Sequence, residues 1–192
     1  MVRVGVARIL AYGRVPSTGP EPRRALLPLT LASHDEGGSP VNAIESLHAL
    51  SGSWRGESRL WIRRPDQATY DSVMTATIEP AMQRQALLVR YAWEIEGEPQ
   101  EGLLVLNQLA GTVAGFWFDS WHMPNSFVTL TGEAEGGGSV SVSGTYPVRD
   151  APGWGWRILL EPRDGTNLIL RMFNVPPDGD EELAVETNFV RQ

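Results

Sequence analysis

The chain has 192 residues and a formal net charge of −7 at pH 7, with no cysteine and no lysine, since all sixteen basic residues are arginine. The absence of cysteine excludes disulfides and thiolate-held metals, and the absence of lysine excludes Schiff-base chemistry. The length fits one domain with or without an appendage, and the acidic balance argues against a nucleic-acid partner, which needs a basic face.

Residues 1–41 differ in composition from the rest of the chain. They hold five of the fourteen prolines and show no sustained helical or strand period, which predicts a flexible or irregular extension before a domain at 42–192. The one candidate for a secretory signal, Arg23–Ser33, has an apolar part of only about eight residues that includes a proline, which is short for such a signal. No apolar run approaches the roughly 20 residues that span a bilayer. We therefore expect a cytoplasmic protein without a membrane partner, and the arginine-only composition is typical of a GC-rich bacterial genome.

One short helix is predicted from Asn42 to Leu50. Asn42 is a suitable N-cap, Glu45 follows in the capping-box position, and apolar residues recur at helical spacing until Gly52 ends the element. A helix of this length cannot bury much surface by itself, so we expect it to plug or brace a larger element.

From Gly52 onward, apolar residues alternate with polar ones, and Gly, Pro and Asp interrupt the alternation at short intervals. This pattern is typical of successive hairpins, and no helix-length insertion separates the strands, which argues against a parallel sheet. We predict an all-β fold, a ten-stranded antiparallel meander β-barrel. Its first strand follows Gly52 and ends before a Pro65–Asp66 turn, and the others are predicted at Tyr70–Glu79, Gln85–Glu96, Glu101–Leu109, Thr112–Trp121, Phe127–Glu133, Ser139–Val148, Trp154–Glu161, Asn167–Val175 and Glu182–Val190.

Closure of this barrel brings the two ends of the meander together. An even number of meandering strands places the start of the first strand beside the end of the last, which puts Trp54 near Arg191. A guanidinium over an indole ring gains about 0.5–2 kcal/mol. Closure also leaves no unpaired sheet edge.

Three stretches of this sequence resemble a known family. They are Leu50–Gly56 with its Gly-x-Trp, Trp117–Ser120, and the closing Ala184–Arg191. In this order on a meander barrel they resemble the calycin superfamily of lipocalin and fatty-acid-binding barrels, and more narrowly the DUF1579 family, an uncharacterised bacterial group. The resemblance covers about Leu47–Arg191. It implies a barrel that holds a small apolar ligand, and it carries no established activity.

The same opening motif also raises the question of haem. Nitrobindin-like haem barrels share the Gly-x-Trp-x-Gly start but bind haem through a histidine on a late strand. No histidine follows His122 in this chain, so haem is disfavoured and we expect no cofactor.

The stretch Gly115–Pro124 is the predicted functional region, because it combines His122 and Asp119 with Trp117 and Trp121. One histidine beside one acid does not make a zinc site, which needs three or four ligands, so no metal is expected. Two interpretations of the histidine remain: a rim residue that bonds locally, or an acid/base or ligand-orienting group at the mouth of a pocket.

Catalysis by a serine relay is disfavoured on two grounds. Ser120, His122 and Asp119 lie too close together on one predicted strand to form it. No nucleophile-elbow Gly-x-Ser-x-Gly is present either.

Other candidates line the predicted interior. Trp93, with Trp117 and Trp121, is either barrel core or the wall of a ligand cavity that favours flat apolar or aromatic molecules. Arg157 and Arg171 lie mid-strand, and each is either a solvated outer residue or an anchor for a ligand carboxylate, as interior arginines are in fatty-acid-binding barrels.

The leading functional hypothesis is non-catalytic binding or carriage of a small apolar or aromatic ligand inside the barrel, by a monomer or homodimer. The first alternative is an enzyme of isomerase or hydrolase type in which His122 is the acid/base and Asp119 orients it. The second is a structural or interaction domain whose barrel is filled. A filled interior argues against the first two functions, and titratable groups converging on an empty interior favour the enzyme.

Overall fold

The protein is described by a computed structural model that covers residues 43–62, 68–109, 111–148, 151–177 and 179–192. The predicted extension at 1–41, the predicted N-cap Asn42 and the predicted Pro65–Asp66 turn lie outside these residues.

The described residues form a closed antiparallel barrel of ten strands. Each strand pairs with its neighbours in sequence, and β1 pairs with β10. The predicted meander barrel is therefore confirmed. The strands are β1 Gly52–Ile62, β2 Ala68–Ala81, β3 Ala86–Ile95, β4 Glu98–Leu109, β5 Thr112–Asp119, β6 Val128–Ala134, β7 Val140–Val148, β8 Ala151–Pro162, β9 Asn167–Val175 and β10 Glu182–Arg191.

One short helix closes one end of the barrel, as predicted. Helix α1, Ala43–Leu47, continues into a 3-10 turn at His48–Leu50, and its apolar side chains at Ile44, Leu47 and Leu50 are buried. The Ile44 N–H donates to Gln108 Oε1 of β4 at 3.3 Å. No helix in the described part of the chain has the length and apolar character needed to cross a membrane.

The contact between Trp54 and Arg191 lies where the barrel closes. The two residues are direct partners in the β1–β10 ladder, and the guanidinium carbon lies 4.5 Å from the centre of the indole ring. Arg191 also donates to the backbone oxygens of Ala49 at 2.9 Å, Ser51 at 2.6 Å and Gly165 at 2.8 Å. The arginine thus joins β1, the turn after the helix and the β8–β9 hairpin.

The interior of the barrel is filled by side chains. Inward residues alternate along the strands, as on Leu87, Val89, Tyr91 and Trp93 of β3, and all of these are buried. A closely packed interior of this kind leaves only small voids. The largest fully buried side chains include Trp54, Trp117, Ile44, Leu47, Ile78, Leu87, Leu104, Leu106, Leu130, Ile158, Leu160 and Leu168.

Candidate functional site

The chain leaves β5 through a tight turn built on the side chain of Asp119. Asp119 Oδ1 accepts the backbone N–H of Trp121 at 3.0 Å and that of His122 at 2.8 Å. An aspartate that bonds its own downstream amides in this way makes an Asx-type turn and competes with strand pairing. β5 therefore ends at Asp119 and not at Trp121, where the sequence pattern had placed its end.

This turn folds His122 back onto Asp119. The ring atom His122 Nδ1 lies 2.9 Å from Asp119 Oδ1, and only 12% of the histidine side chain and 1% of the aspartate side chain are exposed. The two residues are therefore in direct contact, as the enzyme alternative requires, because the strand ends at Asp119. Ser120 does not join them: its hydroxyl accepts the Glu101 N–H at 3.0 Å and donates to Gln100 Oε1 at 2.8 Å, on the exposed side.

A tyrosine supports the aspartate from the neighbouring wall. The Tyr91 hydroxyl donates to Asp119 Oδ2 at 2.8 Å and accepts the indole N–H of Trp117 at 2.7 Å. Gly102 lies between Tyr91 and Asp119 in the sheet register, and a Cβ added there would meet the tyrosine ring at 1.9 Å. The glycine is therefore required for the ring to lie flat against β4 and reach the carboxylate.

These contacts keep Asp119 ionised inside the barrel. Burial by itself favours the neutral acid and raises the pKa of Asp119. The charge of His122 and the hydrogen bonds from His122 and Tyr91 outweigh burial, so the net pKa of Asp119 lies below its ordinary value. The pKa of Tyr91 is raised well above its ordinary value, mainly by burial and then by the charge of Asp119, so its hydroxyl keeps its proton and remains a donor.

The ionised carboxylate determines which nitrogen of His122 carries a proton. A carboxylate only accepts hydrogen bonds, so Nδ1 is the donor in the His122–Asp119 contact. In the neutral imidazole, Nε2 is then a bare acceptor. His122 Nε2 is buried and has no hydrogen-bond partner among the described residues.

Four indole rings surround the imidazole. The ring centroids of Trp121, Trp156, Trp93 and Trp117 lie 4.6, 5.2, 5.8 and 5.8 Å from that of His122. Trp117 stacks on Trp156 with centroids 4.9 Å apart and planes 11° apart. The three predicted tryptophans, Trp93, Trp117 and Trp121, are thus brought together around His122, and Trp156 joins them.

A small cavity lies beside the histidine. Its volume is about 10 Å³, close to the space that a single water occupies. The residues lining it come from six strands and the turn: Ser58, Leu60, Met74, Tyr91, Trp93, Asp119, His122, Met172 and Val185. At the edge of the cavity the Thr187 hydroxyl donates to Ser58 Oγ at 2.8 Å, and Thr187 is fully buried.

Sequence reasoning did not single out Tyr91, Ser58, Met74 or Met172 as site residues. The inward alternation of β3 places Tyr91 beside Trp93, and a tyrosine on a core face needs a partner for its hydroxyl, which was a usable signal. The two methionines carry no comparable signal, because inward apolar residues at that spacing are indistinguishable from ordinary core.

The two candidate anion anchors lie away from this site. Arg157 pairs with Glu181 through contacts of 2.6 and 2.8 Å, and Arg171 bonds Glu186 at 2.6 Å and Glu161 at 2.7 Å. Their chain neighbours point inward and are buried, so both arginines belong to the outer face of the barrel. Neither reaches the His122 cavity.

A larger groove of about 740 Å³ crosses the outside of β1–β5. Outward side chains such as Arg55, Arg90 and Phe118 line it, and it is open to solvent. It lies on the far side of the sheet from the His122 imidazole. Tyr91 and Asp119 also contribute to the lining of this groove, whereas His122 and the four tryptophans around it do not.

No cluster of three or more His, Asp or Glu side chains able to hold a metal occurs within the described ranges.

Comparison with known proteins identifies a family and a related fold. A family model described as "Protein of unknown function (DUF1579)" matches residues 39–191. The crystal structure of Rv2717c from M. tuberculosis is similar at 14% identity and a TM-score of 0.59, covering 80% of this chain and 99% of that one. At that identity the likeness shows the fold alone. No curated protein matches the chain significantly.

Proposed function

The chain belongs to the DUF1579 family of proteins of unknown function, and from this premise we propose that its barrel binds one small, flat, largely apolar molecule at His122 without transforming it. The observation that carries the proposal is His122 Nε2, a buried acceptor without a partner, held by Asp119 at the centre of four indole rings.

The walls of the site define the class of ligand. Indole faces favour aromatic rings, which stack on them or pack edge to face. A ligand with one O–H or N–H donor binds more tightly, because it pairs with the buried Nε2. Leaving a buried acceptor unpaired costs about 1–3 kcal/mol. A planar aromatic molecule with a single hydroxyl or N–H satisfies both conditions.

Binding requires the turn to move. Sites for small organic molecules measure roughly 300–1,000 Å³, whereas the cavity beside His122 measures about 10 Å³. The segment Ser120–Phe127 between β5 and β6 carries Trp121 and His122 into that end of the barrel. In this proposal the described state is closed, and the ligand enters as the segment lifts and takes the volume that Trp121 fills.

An enzyme at the same position is the second candidate, and the His122–Asp119 contact favours it. A carboxylate on Nδ1 that leaves Nε2 bare is the arrangement by which a histidine serves as a general base. In this alternative His122 abstracts a proton from the bound molecule, as in an isomerase or hydrolase, and Asp119 stabilises the imidazolium. A filled structural barrel is the remaining alternative, and the close packing of the interior in the described state favours it.

The test begins with native mass spectrometry of the protein purified from its own host, followed by denaturing extraction. A small molecule at one per chain supports binding, and conversion of that molecule by the wild-type protein but not by His122→Ala identifies the enzyme. A clean apo mass is followed by titration with 2-naphthol, which carries one O–H donor, and with 2-methoxynaphthalene, which carries none.

We expect 2-naphthol to quench tryptophan fluorescence and to bind about tenfold more tightly than its methyl ether. This preference corresponds to one hydrogen bond of about 1.4 kcal/mol. His122→Ala should abolish the preference, and His48→Asn, at the opposite end of the barrel, should retain it. Absence of both a native ligand and naphthol binding refutes the proposal and leaves the filled barrel.

A further inference from the structure

Two methionine side chains meet His122 at the same cavity. Met74 from β2 and Met172 from β9 are 2% and 1% exposed, and both line the space of about 10 Å³ that His122 also lines. The three side chains therefore border one small void, although they come from β2, β9 and the Ser120–Phe127 segment. The Met74 sulfur lies 3.6 Å from the Thr187 hydroxyl, and methionine has three rotatable bonds, so each side chain can reorient within the site.

Two thioethers and an imidazole form a soft ligand set. Thioether sulfur selects Cu(I) among the biological metals, and imidazole is an accepted ligand for copper. The histidine is already prepared for this role, because Asp119 holds the proton on Nδ1 and so presents the Nε2 lone pair. A carboxylate on the outer nitrogen of a metal-bound histidine fixes the ring and raises its basicity.

The donor atoms of the site distinguish a soft ion from zinc. A zinc site uses three or four imidazole, thiolate or carboxylate ligands, and the described residues hold no such cluster. Two thioethers with one imidazole suit a soft monovalent ion instead.

The surroundings suit a soft cation as well. Trp93 lines the cavity, and Thr75 and Ala92 are ladder partners, which places their neighbours Met74 and Trp93 side by side. An indole face attracts a desolvated cation. The same ring helps to keep water away from the space.

We propose that the cavity between β2, β9 and the Ser120–Phe127 segment is a site for a single soft monovalent metal ion, Cu(I), ligated by His122 Nε2 and the sulfurs of Met74 and Met172. The inference goes beyond the binding of an organic molecule. Since both occupants use Nε2, the metal and a hydroxyl-bearing ligand exclude each other.

The experiment is a titration of the purified protein with Ag(I), a redox-inert substitute, and with Cu(I) under anaerobic reducing conditions in competition with a chromogenic chelator. We expect one ion per chain by native mass spectrometry, quenched tryptophan fluorescence and sulfur scattering in the X-ray absorption spectrum of the Cu(I) form. Met172→Leu and Met74→Leu, which nearly conserve volume, should each weaken binding at least tenfold. Met82→Leu is the matched control, because Met82 is 76% exposed on the β2–β3 turn.

Affinity that is equal in all three variants, the absence of a one-to-one complex, or a spectrum without sulfur overturns the metal site. The naphthol titration separates this result from the proposed function. If the protein binds naphthol but no metal, only the proposed metal site is refuted. If it binds metal but no naphthol, only the proposed organic ligand is refuted. Circular dichroism of each variant establishes that loss of metal does not reflect loss of the fold.

Discussion

Substitution of Tyr91 by phenylalanine removes one oxygen that two buried groups share. The hydroxyl donates to Asp119 Oδ2 and accepts the N–H of Trp117, which is 1% exposed. A hydrogen bond to a charged partner contributes about 1.5–3 kcal/mol, and the orphaned indole N–H costs about 1–3 kcal/mol. The two terms overlap, so we expect Tyr91→Phe to lower the free energy of unfolding by roughly 2–4 kcal/mol.

The chain offers a matched control in Tyr146→Phe. The Tyr146 hydroxyl makes one hydrogen bond, to Asn174 Oδ1 at 3.1 Å, in a partly buried position, and no charged group is involved. Its loss should cost about 0.5–1.5 kcal/mol. Urea unfolding at pH 7, followed by far-ultraviolet circular dichroism because the tryptophan signal itself changes, compares the two variants. Equal losses of stability would refute the shared-oxygen argument.

Acid unfolding gives an independent measure of the same network. Because the folded pKa of Asp119 lies below its ordinary value, its contribution to stability is complete above the ordinary carboxyl range and is lost as the pH falls through the folded pKa. Removal of the Tyr91 hydroxyl raises that folded pKa, so the acid midpoint of Tyr91→Phe should move to higher pH. An unchanged midpoint would contradict the role given to the tyrosine.

Three further predictions concern single residues. Gly102→Ala places a methyl group inside the Tyr91 ring and should cost roughly 2–5 kcal/mol in urea unfolding, and an effect below 1 kcal/mol would show that the ring moves freely. Arg191→Met removes three bonds to backbone oxygens and should cost about 2 kcal/mol, and a neutral result would show that strand pairing alone closes the barrel. The pKa of the exposed Asp164 is lowered to about 2, mainly by the hydrogen bond from the Asn167 side chain. Asn167→Ala should therefore return this pKa toward the ordinary value, as followed by carbon-13 titration of the carboxyl group. An unchanged pKa would refute the assigned cause.

Much of the barrel was predictable because its determinants are local. Alternating apolar residues and Gly, Pro or Asp turns set the ten strands, and the even strand count set the partnership of Trp54 with Arg191. The same alternation of inward and outward residues also predicts the direction in which the side chains of Arg157 and Arg171 point. Each lies between inward apolar neighbours and therefore points outward.

The site was only partly predictable. His122, Asp119 and three of the tryptophans were identified from their density in one stretch, but the predicted strand ran through Asp119. That position depends on competition between ladder hydrogen bonds and the carboxylate that bonds its own downstream amides. Residue propensities do not settle such a competition.

The sequence by itself determined the class of fold, the closure of the barrel and the stretch that carries the histidine, because each follows from periodicity and residue type along the chain. Only the tertiary structure decided that His122 enters the barrel, that Tyr91 and Asp119 fix its proton on Nδ1, and that Met74 and Met172 face the same cavity. These contacts join strands far apart in sequence, and their positions follow from the register and curvature of the closed sheet, which are properties of the whole barrel.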